Sequence, residues 1–288
     1  MMTSKPVIQT GISTFVYASP FKTADFHLLP KIKAAGYDIV EVAVEQADLI
    51  DWDLLVSMTR DLGLQITLSG AFGPRRDISS DNAAFRKEGL DYILECIRLA
   101  EKTGSPLFGG PLYSAVGKTR IVPAEQKRQE RAWCLENLRI AGKAAADHGI
   151  LLGVEALNRF ETDMINTTDQ ALALIAEADH PALRLSFDTF HANIEEKDIP
   201  AAIRKAGSLL LHVQANESDR GTPGTGHLPW TAIRQALDEI GYQGAVVLET
   251  FGEPSEELAR AACIWRPLAG NADEMATEGA AFYKRIFT

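Results

Sequence analysis

The chain has 288 residues, of which 46% are hydrophobic and 24% charged, as is usual for a globular protein. Its 29 Lys and Arg stand against 39 Asp and Glu, so the net charge of −10 disfavours binding to nucleic acid or anionic membranes. No run approaches the roughly 18–20 apolar residues of a membrane span, and no signal-peptide core follows Met1. The three cysteines, Cys96, Cys134 and Cys263, match no metal or CxxC spacing, which favours a reducing, cytoplasmic setting.

Eight short runs rich in branched apolar residues recur along the chain and predict β-strands. Between them lie segments with apolar residues three and four apart, as in Phe85–Lys102 and Glu125–Ala146, which predict helices with one buried face. The strands are nearly continuous apolar runs, which suits parallel strands covered on both faces. The predicted strands are Val7–Ser13, Ile39–Val44, Leu64–Ser69, Pro106–Gly110, Leu151–Leu157, Leu183–Asp188, Leu209–Ala215 and Ala245–Thr250.

Six glycines each follow a predicted helix directly, in the left-handed position where a Cβ is disfavoured. Their regular recurrence supports alternation of strand and helix along the whole chain. Eight such units in this length predict an α/β fold, a (β/α)8 TIM barrel formed by residues 1–288 as a single domain. A doubly wound open sheet is the alternative. The glycines are Gly36, Gly63, Gly104, Gly149, Gly207 and Gly241.

Each of the last four predicted strands has a polar side chain at or near its carboxyl end, and these are Glu155, Asp188, Gln214 and Glu249. Because reactive side chains of such barrels lie at the carboxyl ends of the strands, we expect these four to meet at one mouth. Three carboxylates there would repel, and burying an unpaired ionised carboxylate costs several kcal/mol. A divalent cation removes this difficulty, and oxygen ligands suit Mn²⁺ or Mg²⁺, with Co²⁺ as a further candidate.

A single acidic residue at a strand end has a simpler interpretation as a helix cap or a solvated rim residue. Four polar residues on successive strands favour the cation site over that interpretation. Glu155 and Glu249, flanking a sugar carbon, would also be able to exchange its proton while a cation polarises the neighbouring carbonyl.

Four motifs around these strand ends resemble the D-tagatose/D-psicose 3-epimerase family, which belongs to the xylose isomerase-like TIM barrels. They are Val154–Thr162 (VEALNRFET), Phe187–Glu196 (FDTFHANIEE), Asn216–Gly221 (NESDRG) and Leu248–Phe251 (LETF). The resemblance implies that Glu155 and Glu249 act as metal ligands and as acid and base. It also implies a ligand role for Asp188 and contacts to the substrate from Glu161, His191, Arg220 and Phe251.

The sequence departs from the family at strand seven, where the family usually has His-x-His with the second His on the metal. Here the pattern is His212-Val213-Gln214, and the family spacing of six residues back from Arg220 falls on Gln214. A Gln carbonyl is a neutral oxygen donor that replaces an imidazole on a hard cation, as in barrels of the hydroxypyruvate isomerase type. We therefore favour Gln214 as the third ligand, with His212, two residues deeper, as the alternative.

The resemblance implies a metal-dependent ketose 3-epimerase, or a closely related sugar isomerase, that exchanges a proton through an enediolate. A lyase, dehydratase or deglycosidase on a keto-sugar shares that intermediate and remains an alternative, as does an aldose–ketose isomerase of the hydroxypyruvate isomerase type. The expected partners are a small sugar and further copies of this chain, in a dimer or tetramer. The loop 221–227 is rich in glycine but lacks the Gly-Lys-Ser/Thr ending of a phosphate loop, although with Arg220 it is the candidate should phosphate bind.

Overall fold

The structure is a computed structural model that describes residues 8–252 and 254–288. Within these residues eight parallel strands close into a barrel in chain order, and β1 pairs with both β2 and β8. This closure confirms the predicted TIM barrel and excludes an open sheet. The strands are β1 Thr10–Ser13, β2 Ile39–Val44, β3 Gln65–Gly70, β4 Leu107–Gly110, β5 Leu151–Glu155, β6 Leu183–Asp188, β7 Leu210–Gln214 and β8 Val246–Leu248.

Helices follow the strands and cover the outside of the barrel, so that both faces of each strand are buried. The two helices predicted from periodicity are confirmed, each longer by one or two residues at either end. The described helices are α1 Leu29–Ala35, α2 Trp52–Leu62, α3 Ala83–Thr103, α4 Ala124–Asp147, α5 Thr168–Ala178, α6 Thr189–Glu195, α7 Ile199–Ala206, α8 Trp230–Glu239, α9 Glu256–Ala261 and α10 Ala272–Phe287.

All eight predicted strands are present, with ends that differ by a few residues. Val7, the first residue of the first predicted strand, lies outside the described residues, and β1 begins at Thr10. The fifth strand stops at Glu155 rather than Leu157, and the eighth at Leu248 rather than Thr250.

The six glycines predicted to follow helices all have positive φ, from 52° at Gly207 to 105° at Gly36. The last helix, α10, closes the structure against the opposite end of the sequence. The hydroxyl of Tyr37 donates to the carbonyl of Ala276 at 2.9 Å, and that of Tyr283 donates to Ala215 at 2.6 Å. Throughout residues 8–252 and 254–288, every helix is too short or too polar to cross a bilayer.

Candidate active site at the carboxyl end of the barrel

The four side chains predicted at strand ends come together on four adjacent strands. Glu155, Asp188 and Gln214 are the last residues of β5, β6 and β7, and Glu249 directly follows β8. All four are buried, and Asp188 stands opposite Gln214 in the register of the two strands. The sequence of the strands therefore places four oxygen-bearing side chains at one end of the barrel.

The two carboxylate oxygens of Asp188 have different surroundings. Its Oδ1 accepts the N–H of Phe190 at 2.7 Å and so caps α6, as the simpler interpretation of a strand-end acid requires. Its Oδ2 is buried and accepts no hydrogen bond of normal geometry from the described residues, although the nearby Asn216 amide acts to lower the pKa of Asp188. Oε1 of Gln214 is likewise buried without a partner among these residues. Because buried acceptors are nearly always satisfied, two adjacent strand ends with unsatisfied oxygens fit a cation site.

Burial is the main influence on the carboxyl groups of this cluster. It raises the pKa of Asp188 to about 6. It also raises the pKa of Glu155 well above its ordinary value, and the charges of Glu249 and Asp188 add to the effect. The pKa of Glu249 is raised by burial and then by Asp188 and Glu41. In the absence of a cation the cluster therefore favours protonated carboxyl groups.

Three of the predicted substrate contacts converge on the same carboxylates. His191 Nε2 lies 3.6 Å from both Glu155 Oε1 and Asp188 Oδ2. A terminal guanidinium nitrogen of Arg220 lies 3.6 Å from Glu161 Oε1 and 4.0 Å from Asp188 Oδ2. Glu155, Asp188 and His191 each place one ligand atom within 4.8 Å of the others, a spacing that suits a metal ion.

The tautomer of His191 follows from its contacts with Asn158. The backbone N–H of Asn158 lies 3.0 Å from Nδ1 of His191, and the Asn158 amide nitrogen lies 2.8 Å from it. Because a backbone N–H can only donate, Nδ1 accepts, and in the neutral imidazole the proton is on Nε2. Burial, with the nearby charge of Arg220, lowers the pKa of His191 and keeps the ring neutral. The N–H of Nε2 therefore faces the carboxylate cluster.

Arg220 lies in the loop that follows β7 and is contacted by residues after β8 and by α6. Its backbone has φ +60°, and its carbonyl accepts the hydroxyl of Thr250. Its guanidinium carbon lies 4.3 Å from the ring centroid of Phe190 and 4.7 Å from that of Phe251. One terminal nitrogen lies 3.0 Å from Nε2 of His191, and because a guanidinium can only donate, it meets a ring nitrogen that the contact with Asn158 already makes a donor. Two donors this close favour an acceptor between them, such as a substrate oxygen.

Glu217 organises the loop 221–227 and was missed by sequence reasoning, although it stands inside the quoted motif NESDRG. Its carboxylate accepts the N–H groups of Ser218 at 2.9 Å and Gly224 at 2.8 Å and the indole N–H of Trp230 at 3.0 Å. Burial opposes the charge, but these donors lower the pKa of Glu217 below its ordinary value. Within the loop, the N–H of Gly224 is directed at Glu217 and that of Gly221 at Asp219, which argues against the phosphate site considered from its sequence.

His212 does not point to the carboxyl end of the barrel. Its Nε2 lies 2.7 Å from Oε2 of Glu41, which also accepts the hydroxyl of Thr67 at 3.2 Å. This contact leaves Gln214, which stands opposite Asp188 in the strand register, as the residue of β7 available to the carboxylate cluster. Glu41 was not found from sequence, because a lone acid within a strand gives no signal of a partner on a distant strand.

A cavity of about 650 Å³ opens above the cluster. The ring of Phe15 packs at a tilt against that of Phe251, with 5.1 Å between the ring centroids, and adds an apolar wall to the cavity. Asp188 and Gln214 are not among the lining residues. Of the predicted site residues, those that line the cavity are Glu155, Glu161, His191, Arg220, Glu249 and Phe251.

Comparison with known proteins gives the family. Residues 29–285 match the family model described as the xylose isomerase-like TIM barrel. The chain belongs to this family. Among relatives of the family, it is 33% identical over 258 residues to a D-psicose 3-epimerase of Ruminiclostridium cellulolyticum, covering 87% of each chain. It is 29% identical to a probable ketose 3-epimerase of Synechocystis sp., covering 99% of each chain.

Solved structures of the family agree with the barrel described above. The structure of an L-ribulose 3-epimerase superimposes with a TM-score of 0.92 at 30% identity, covering 97% of this chain and 94% of the other. That of a D-allulose 3-epimerase from Methylomonas sp., in complex with D-allulose, gives 0.91 at 28% identity, covering 98% of each. These findings confirm the resemblance to the D-tagatose/D-psicose 3-epimerase family drawn from the four motifs.

Proposed function

We propose that this protein is a ketose 3-epimerase that uses a divalent cation. The observation that carries the proposal is the pair Glu155 and Glu249, two buried carboxyl groups that line one cavity. A 3-epimerase must remove the proton from one face of C3 and return one to the other face, so it needs two such groups. The names of the relatives, which include ketose, D-psicose and L-ribulose 3-epimerases, support the same reaction.

Glu155, Asp188, Gln214 and Glu249 would hold the cation. The unsatisfied buried oxygens of Asp188 and Gln214 support this set, as does the carboxylate repulsion that a positive ion relieves. Mn²⁺ is the first choice, with Mg²⁺ and Co²⁺ as alternatives. When bound, such an ion polarises the substrate carbonyl and stabilises the negative charge of an enediolate.

The residues of the chain perform the proton transfers. One of Glu155 and Glu249 removes the proton from C3, next to the carbonyl at C2, and leaves an enediolate. The other returns a proton to the opposite face, which inverts C3. Their raised pKa values suit this task, because each must hold a proton in one half of the reaction.

The substrate is held by Glu161, His191, Arg220 and Phe251. The Nε2–H of His191 and the guanidinium of Arg220 donate to substrate oxygens, Glu161 accepts a hydroxyl, and Phe251 packs on the sugar. The free sugar is favoured over its phosphate, because the glycine-rich loop already binds Glu217. A single domain, a homo-oligomer and a cytoplasmic location stay predictions.

The test is incubation with D-fructose and with D-psicose in D₂O with Mn²⁺, followed by NMR. We expect interconversion and deuterium at C3 alone. Glu155→Gln and Glu249→Gln should each abolish interconversion, whereas the exposed Glu278→Gln serves as the matched control and retains it. Deuterium at C1 would indicate an aldose–ketose isomerase, and loss of a β-substituent from a keto-glycoside would indicate a lyase. The absence of exchange at any carbon would contradict proton transfer.

A further inference from the structure

The four side chains proposed to hold the cation share one chemical feature, since each offers only oxygen. Gln214 is the member whose residue type departs from the family pattern, in which an imidazole stands at this place. Its Oε1 is buried without a hydrogen-bond partner among the described residues. An unsatisfied buried carbonyl oxygen is costly, so this atom favours a positively charged ligand.

The nearest histidine along the strand has another contact. His212 lies on the same face of β7 as Gln214, one strand repeat below it. Its Nε2 lies 2.7 Å from Oε2 of Glu41 on β2, inside the barrel. To reach the carboxyl end, this imidazole would have to leave the buried Glu41 carboxylate with only the hydroxyl of Thr67 as a partner, which is unfavourable.

His191 has a nitrogen close to the cluster, yet that nitrogen is protonated. The backbone N–H of Asn158 donates to Nδ1 at 3.0 Å and assigns the proton of the neutral ring to Nε2. Nε2 is the atom that lies 3.6 Å from Glu155 and from Asp188. A protonated imidazole nitrogen has no lone pair for a cation, so it faces the site as a donor.

Of the cysteines, Cys263 follows the lining residue Ala262, and the charge of Glu161 adds to the burial that raises its pKa, but Cys263 itself does not line the cavity. The other cysteines and the remaining histidines of the described residues lie elsewhere. His148 contacts Glu101 on the surface, and His227 is exposed beside Asn193. Cys96 and Cys134 are buried within α3 and α4. Within residues 8–252 and 254–288, His191 is the only histidine that lines the cavity, and no cysteine lines it.

We propose that Gln214 makes this an all-oxygen cation site, which binds Mn²⁺ without a nitrogen ligand. Such a site holds Ni²⁺ and Zn²⁺ less tightly, relative to Mn²⁺, than the same site with His at position 214. The reason is that imidazole suits Ni²⁺ and Zn²⁺, whereas carboxylate and amide oxygens suit Mg²⁺ and Mn²⁺. This inference rests on the proposed function, because it concerns the same cation site.

The experiment uses the full-length protein after removal of metals with a chelator. Binding of Mn²⁺ is measured by the loss of the EPR signal of free Mn²⁺, and Ni²⁺ and Zn²⁺ are then added as competitors. Pulsed EPR of bound Mn²⁺ reports whether a nitrogen is directly coordinated. Wild type and Gln214→His are compared, each prepared with ordinary and with ¹⁵N-labelled histidine, so that any strong nitrogen coupling is assigned to an imidazole.

We expect Mn²⁺ to bind wild type without strong coupling to histidine nitrogen, and Gln214→His to show such coupling. We also expect the affinity for Ni²⁺ relative to Mn²⁺ to rise on the order of tenfold in Gln214→His. Strong histidine coupling in wild type would overturn the inference and leave a cation-dependent epimerase intact. Failure of wild type to bind any of the three ions would overturn the inference and the proposed function together. The wild-type spectrum decides the inference even if the variant misfolds.

Discussion

His212 Nε2 lies 2.7 Å from Glu41 Oε2, although β7 and β2 are not neighbours in the barrel. The contact therefore crosses the barrel interior, where both side chains are buried. Two residues of β7 on the same face therefore have different surroundings. His212 contacts Glu41 in the interior of the barrel, and Gln214 lies at the carboxyl end of the strand.

Replacement of His212 by Gln should reduce stability and leave cation binding intact. Loss of the imidazole leaves the Glu41 carboxylate buried with only Thr67 beside it, which we expect to cost about 3 kcal/mol of unfolding free energy. Chemical denaturation measures this loss, and titration with Mn²⁺ measures binding. Glu41→Gln combined with His212→Gln should recover part of the stability. A folded His212→Gln protein that no longer binds Mn²⁺ would identify His212 as the ligand.

Replacement of Glu217 by Gln should destabilise the protein at pH 7 and not in acid. The donors around Glu217 lower its pKa below the ordinary 4.5, so the carboxylate contributes stability above pH 4.5 that is lost as the pH falls through the folded-state pKa. We expect a loss of about 1–2 kcal/mol at pH 7. Urea denaturation at pH 7 and pH 3 should show the difference from wild type shrinking. Glu278→Gln, an exposed control, should show no such change with pH.

Replacement of Lys118 by Met should weaken substrate binding without a direct contact to substrate. Lys118 Nζ lies 2.8 Å from Asp77 Oδ2 and donates to Ser79 Oγ at 2.8 Å, and the N–H of the preceding Gly117 donates to the carbonyl of Glu161 at 2.7 Å. The variant leaves the buried Asp77 without a cation and with only the N–H and hydroxyl of Ser79 as donors, so we expect the segment that supports Glu161 to loosen.

Steady-state kinetics with D-psicose should therefore give a KM on the order of tenfold higher for Lys118→Met, with a smaller change in kcat. The exposed Lys143→Met on α4 is the matched control and should resemble wild type. A fall in kcat on the order of tenfold, with an unchanged KM, would contradict a role in positioning Glu161.

Removal of the cation should destabilise the protein more at high pH than at low pH. The folded-state pKa of Asp188 is about 6, above its ordinary 3.8 because of burial, and those of Glu155 and Glu249 are raised as well. In the chelated protein, protonation of these carboxyl groups stabilises the folded state. This contribution from Asp188 is fully present below pH 3.8 and is lost as the pH rises through about 6. Mn²⁺ should therefore raise the melting temperature more at pH 8 than at pH 5.5. Scanning fluorimetry at both pH values, with and without Mn²⁺, measures this, and the reverse order would contradict a carboxylate-bound cation.

Local sequence predicted the elements of the fold because its signals are local. Apolar runs give strands, and a glycine with positive φ ends a helix at each of six places, as at Gly36 and Gly149. The order of strands in the closed barrel follows from these units, since parallel neighbours need a crossover helix. The predicted strands also showed which polar side chains stand at their ends, and the family motifs implied what those side chains do.

The sequence by itself thus determined the barrel and the position of Glu155, Asp188, Gln214 and Glu249 on successive strands. Only the tertiary structure decided which atoms of distant residues meet. The contact of His212 with Glu41, and the donation from Asn158 that assigns the proton of His191, join residues 171 and 33 positions apart. Such contacts depend on barrel closure and on the direction of each side chain, and no local pattern encodes either.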